Sequence, residues 1–165
     1  NGGVSMSTLK VNAITETDGS DFPYGKILQA KCTPSNNLAQ ASKTGNDYDD
    51  VTGIDLVITP KSASSTMILV TSFHGSTSGG SINLSVRLTF NHSGISQTVV
   101  DSNQDGYSQS TSSGSNDQFG SMIYTHTPNT TNEITYRFQY RNASGSGTVY
   151  FNKKVSKIIA YEVAA

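Results

Sequence analysis

Nine consecutive residues, Ile82-Asn83-Leu84-Ser85-Val86-Arg87-Leu88-Thr89-Phe90, alternate apolar and polar without exception. A period of two sends the apolar set to one side of an extended chain and the polar set to the other, which is the pattern of a half-buried β-strand. Ile134-Thr135-Tyr136-Arg137-Phe138-Gln139-Tyr140-Arg141 repeats it, with both arginines on the polar side. Residues 67–73 are more apolar on both faces, and 54–59 set Ile54, Leu56 and Ile58 against Asp55 and Val57, so both read as more central strands. Further strands are expected over 27–32, 95–100, 122–126, 148–151 and 157–163. Turn chemistry divides them at short intervals, as in Gly79-Gly80, Asn91-His92-Ser93-Gly94 and Pro128-Asn129-Thr130-Thr131-Asn132. No window shows a helical stripe beyond one short turn over 37–42. The fold class expected is all-β, an antiparallel β-sandwich of jelly-roll type.

Composition sets bounds on function. The 165 residues make about one domain, with 34% hydrophobic residues and no Trp. Ser, Thr, Asn and Gly fill the difference, and 14% charge with a net of -1 argues against charge-driven disorder. No basic run exceeds Lys153-Lys154, so no nucleic-acid partner is expected. No secretion signal or spanning apolar run is read, so membrane insertion is not expected either. Cys32 is the single cysteine; an intrachain disulfide is impossible, and a small buried residue on an early strand is the expected role.

Residues 101–118 form the longest polar stretch and read as an exposed loop. Its opening, Asp101-Ser102-Asn103-Gln104-Asp105-Gly106, matches the start of an EF-hand calcium loop. Ser112 stands where the bidentate Glu belongs, so no metal or cofactor is expected, and Asp101, Asn103 and Asp105 are at most a lone Ca²⁺ loop. Asp47, Asp49 and Asp50 read as a solvated lead-in to the following strand. His74, His92 and His126 share no metal-ligand spacing. The serines form no nucleophile elbow, and no local carboxylate pair suits glycoside hydrolysis, which points away from an enzyme. Tyr136, Tyr140 and Tyr161 fall on apolar faces and read as core. Tyr107 lies in the polar stretch, where Asn103, Asp105, Gln109 and Asn116 would supply hydrogen bonds to a glycan stacked on its ring.

The N-terminal segment Ser7-Thr8-Leu9-Lys10-Val11-Asn12-Ala13-Ile14 reads as a strand without a hairpin partner, followed by the turn Asp18-Gly19 and then Gly25-Lys26-Ile27-Leu28-Gln29. Residues 1–25 are accordingly taken as an arm and hinge, and 26–165 as the sandwich. Met6 precedes the leader, which leaves residues 1–5 as either a tag or part of a longer chain. The leader resembles the opening of tail-fibre and other virion appendage proteins of tailed bacteriophages, marine phages in particular. Similar phrases follow in order at 51–60, 64–70, 127–131, 149–152 and 158–163, while 91–120 departs from the family. The resemblance implies a non-enzymatic virion protein, a homotrimeric fibre or receptor-binding module located in the virion and contacting other virion proteins and a host-surface glycan. It also implies that Leu9, Val11, Ile14, Phe22 and Tyr24 serve assembly. A decoration or assembly protein without receptor binding, and a lectin-like glycan-binding domain, are the alternatives.

Overall fold

A computed structural model describes residues 25–34, 39–79, 82–100, 106–111 and 116–165, with the side chains of 108–111 excepted. The described residues form strands and turns only: β1 (Ile27–Cys32), β2 (Ala41–Lys43), β3 (Asp49–Asp50), β4 (Leu56–Ile58), β5 (Thr66–Ser78), β6 (Ile82–His92), β7 (Ile95–Val99), β8 (Tyr107–Thr111), β9 (Asn116–His126), β10 (Ile134–Asn142), β11 (Thr148–Phe151) and β12 (Lys157–Val163).

They pair antiparallel throughout and make two sheets. Sheet one runs β1, β12, β5, β9, with β11 taking over from β12 along the upper half of β5 and β2 beside β11. In sheet two β3 and β4 share one side of β10, β6 lies on its other side, and β7 and β8 share the far side of β6. The pairings are nested. β6 meets β7 and β8; outside that pair β5 meets β9, then β4 meets β10, and finally β1 meets β12. A long hairpin rolled up in this way is the jelly roll that the sequence predicts.

Alternation explains the core. Leu84, Val86 and Leu88 of β6 and Tyr136 and Phe138 of β10 are at most 1% exposed, and they meet Met67, Leu69 and Phe73 of β5, Phe151 of β11, and Ile158 and Ala160 of β12. Each such side chain contributes about 1.5–3 kcal/mol through burial. Phe73, Phe138 and Phe151 pack within 5.3–6.3 Å of one another between ring centroids. Phe73 lies directly opposite Gly120 and spreads its ring over it, in space that a β-carbon at Gly120 would occupy.

Four expectations change. The stretch 101–118 is not one loop: β8 and the start of β9 fall inside it, because pairing with β6 and β5 makes strands of Ser, Gln and Asn that have no apolar alternation to announce them. Ala41–Lys43 is a strand beside β11 where a helical turn was expected. Cys32 is exposed, since its phase on β1 points away from the core. Tyr161 likewise lies half-buried on the outer side of β12, while Tyr136 and Tyr140 are core as expected.

Candidate functional site

Leu9, Val11, Ile14, Phe22 and Tyr24 lie outside the described residues, as do Asp101, Asn103 and Asp105. Tyr107 is not the exposed platform expected. It opens β8, half-buried, with its ring 4.9 Å from that of Phe73 and nearly perpendicular to it, and burial pushes its hydroxyl pKa up. Gln109 sits on β8 opposite Leu84. Asn116 is exposed at the first position of β9.

Asn116 does reach a candidate site, around an aromatic residue not singled out from the sequence. Tyr150 of β11 points outward, because Val149 and Phe151 on either side take the core. Two shallow depressions meet at it. One, of about 340 Å³, is lined by Gln40, Ser76, Ser78, Asn116 and Asp117; the other, of about 560 Å³, by Ser42, Lys43, Asp49 and Thr148. An outward ring flanked by amides, hydroxyls and carboxylates is the chemistry that holds a sugar. The alternation Thr148-Val149-Tyr150-Phe151 was the signal that could have found it.

Beside this groove His74 stacks on Phe119, with ring centroids 4.4 Å apart and planes 7° from parallel. Asn152 Nδ2 lies 3.1 Å from His74 Nδ1, and Asp117 Oδ1 lies 3.2 Å from its Nε2. The tautomer that suits both partners protonates Nε2, which then donates to Asp117.

The outer face of sheet two is organised differently. Arg137 of β10 forks onto Asp55 through Nε and Nη2, both at 2.7 Å, and donates from Nη1 to Asp50 at 2.8 Å. The other Asp50 oxygen accepts from Gln139 and Gln97, each at 2.8 Å, and Arg87 Nε donates to Gln139 Oε1. Burial pushes the Asp50 carboxyl up, but the bonds from Gln139, Gln97 and Arg137 outweigh it and hold the group below its ordinary range. Asp55, with Asp50 as second partner, makes the Arg137 guanidinium hold its proton more tightly, against the effect of burial. Arg87 and Arg141 both lie over Tyr48, 3.7 and 4.5 Å from its ring centroid. Asp50 is therefore a structural hub and not a solvated lead-in, and Asp49 pairs with Lys43 at 2.7 Å.

Two further groups, one buried and one half-buried, belong with these. Glu162 of β12 is fully enclosed and accepts from Ser65 Oγ, from Gln29 Nε2, and from the backbone N–H groups of Lys61 and Ser62. Burial raises its pKa, yet these four donors win and leave it lowered. It clasps the turn before β5 against β1 and β12. His126 ends β9 over the Phe90 ring, with centroids 4.1 Å apart, and its Nδ1 is 2.8 Å from the Tyr136 hydroxyl. Burial, aided by His92, lowers its pKa to about 4, so its imidazole is neutral at pH 7. Among the described residues no three His, Cys, Asp or Glu side chains converge as metal ligands.

The sequence matches no protein-family model and no curated protein. Its fold is similar to solved structures from infectious bursal disease virus. A chain of the T13 viral particle aligns with 95% of this chain at a TM-score of 0.50 and 10% identity. A chain of the Gx strain structure aligns with the same share at 0.47 and 11% identity. The chain spans about two fifths of the length of these particle chains, 40% and 41%. What this chain shares with the T13 particle chain is the fold, an antiparallel β-sandwich.

Proposed function

We propose that this chain is a non-enzymatic structural component of a virus particle. The observation that carries this reading is the nested jelly roll, which aligns over 95% of the chain with a viral-particle chain. The polar chemistry supports it. Glu162, Asp50, Asp55 and Arg137 are each saturated by partners that hold strands together, which is what a building block needs of its charges.

The finer reading is a homotrimeric appendage of the tailed-phage type, joined through Leu9, Val11, Ile14, Phe22 and Tyr24 and displaying a host-glycan site. Asn103, Asp105, Gln109 and Asn116 remain its contact residues. The Tyr150 groove, which Asn116 helps line, supports moving the sugar-stacking role from Tyr107 to Tyr150. Gold-labelled antibody against the chain, imaged on purified particles, is expected to mark them at regular positions. Recovery of the chain only as free protein would overturn the virion assignment. Light scattering on the purified chain is expected to give a mass that is a multiple of three monomers, and a monomer or a dimer would remove the trimer. Loss of cell binding in Tyr150→Ala, with the melting temperature unchanged, is the result expected of a receptor site.

A further inference from the structure

Strand β9 is an eleven-residue edge strand whose register with β5 runs unbroken from Met67↔His126 to Thr77↔Asn116. Among the described strands only β5 pairs with it. Edge strands usually carry lysines, proline or a bulge that prevents further pairing. The opposite edge, β1, has such features: a register shift between Ile27 and Gln29, and Lys26, Lys31 and Pro34 along or beside it. β9 has no Lys, Arg, Pro or bulge, and its outward side chains include Phe119 and Ile123, each 72% exposed.

The open edge has a definite phase. His74 N–H and C=O bond toward β11 and β12, to Ser156 and Asn152, so the odd-numbered residues of β5 face β9. Thr71 Oγ1 accordingly meets both the N–H and the C=O of Met122. The N–H and C=O groups of Asp117, Phe119, Ser121, Ile123 and Thr125 therefore point to the open side.

We propose that this edge pairs antiparallel with the same edge of a second copy of the chain, across a two-fold axis at Ser121. The strand is self-complementary about that residue. Residues 116 and 126 are equidistant from it, so this register overlaps the whole strand, and Phe119 and Ile123 are equidistant too. Each copy's Phe119 therefore faces Ile123 of the partner subunit, an aromatic against a β-branched residue, twice over. The two Asp117 carboxylates lie at opposite ends of the ribbon, about 27 Å apart at 3.4 Å per residue, so no like charges meet. Gln118, which is 2% exposed and has no hydrogen-bond partner for its carboxamide, faces Tyr124 of the partner subunit. Two four-strand arrays then join into one continuous sheet. The inference stands on β9 and is independent of the virion assignment; β1 is at the far edge of the same sheet.

The test is Ser121→Cys in a Cys32→Ser background. Two Ser121 residues facing each other as a hydrogen-bonded pair have Cα atoms about 5.5 Å apart, within the span of a disulfide. Mild oxidation is expected to give a band of twice the monomer mass on a non-reducing denaturing gel, a readout that any trimer made by the arm does not affect. Ser72→Cys, on the outward face of β5 opposite Ser121 of the same chain, is the collision control and should stay monomeric. Phe119→Lys with Ile123→Lys puts lysine opposite lysine twice, at sites exposed enough to spare the fold, and should halve the native mass in light scattering; Ile123→Lys alone is the milder version. A monomeric Ser121→Cys chain, equal cross-linking of the Ser72→Cys control, or an unchanged mass in both lysine variants would overturn the proposal.

Discussion

The outer faces of the two sheets solve the same problem in opposite ways. Sheet two covers its outside with a wired polar layer, in which Arg137 joins Asp50 and Asp55 and the amides of Gln97 and Gln139 complete the bonds. Ser85 and Thr89 are buried beneath it, so this face is a second, polar layer of packing. Sheet one instead lines up Ile123, Val70 and Ile159 across three adjacent strands, with Ile68 and Tyr161 in the next row. One face is complete within a single copy. The other leaves a row of apolar side chains without a polar layer over it.

The most damaging way to break the contrast is Arg137→Ala, which leaves Asp50 and Asp55 side by side without their cation. Removing one partner of a part-buried charge network costs about 3 kcal/mol, and urea denaturation should show it. A polarity change of the opposite sense on sheet one, Val70→Thr, should cost far less.

Acid sharpens the comparison next. His126 binds its proton at a lower pH when folded than when unfolded, so its contribution is whole above pH 6.5 and falls as pH drops toward about 4. The loss over that window is about 3 kcal/mol at 1.36 kcal/mol per unit, and His126→Gln should flatten it in thermal melts. Asp50 and Glu162 act in the same sense at lower pH. Their folded pKa values are lowered, so their contributions are present above about pH 4 and vanish as pH falls through the folded values. Arg137→Ala should therefore also blunt the acid limb.

Much of this was legible in the sequence, for a physical reason. Residues 82–90 and 134–141 alternate because each has one apolar face in the core and one polar face in the hydrogen-bonded outer layer, and both lie in the middle of sheet two. The bounds of β1, β11 and β12 were legible as well. β8 was hidden because its partners on β6 lie 21 to 29 positions away and its sequence carries no apolar period; pairing alone makes it a strand. The Arg137 hub was hidden for a related reason, since Asp50 and Asp55 come to it from more than eighty positions earlier. Tyr107 was read as exposed, and Tyr150 passed over, because polarity of the neighbours was weighed above phase. Tyr107 leads a strand into the core, and Tyr150 is the outward residue between two buried ones.

Smaller effects test the edge itself. Gly120→Val inserts a side chain where the Phe73 ring lies and should cost about 2 kcal/mol, read from the urea midpoint. Thr125→Glu, on the exposed end of the same strand and opposite Asp117 of the partner subunit, should change monomer stability by less than about 0.5 kcal/mol while lowering self-association in sedimentation. If Thr125→Glu destabilised the fold as much as Gly120→Val does, β9 would be an interior strand and not an edge.

The nested pairing also dictates an order of events. Strand β1 waits for β12, whose register joins Ile27 to Val163, so at ribosomal speeds it stands unpaired for roughly ten seconds of synthesis. The inner pairs, β6 with β7 and β8 and then β5 with β9, are available long before. A chain of this topology closes from the inside outward, and its slowest contacts are the most distant ones. Polysomes carrying this protein would thus hold half-rolled hairpins with apolar faces open, and the low apolar content of the sequence makes that wait less hazardous.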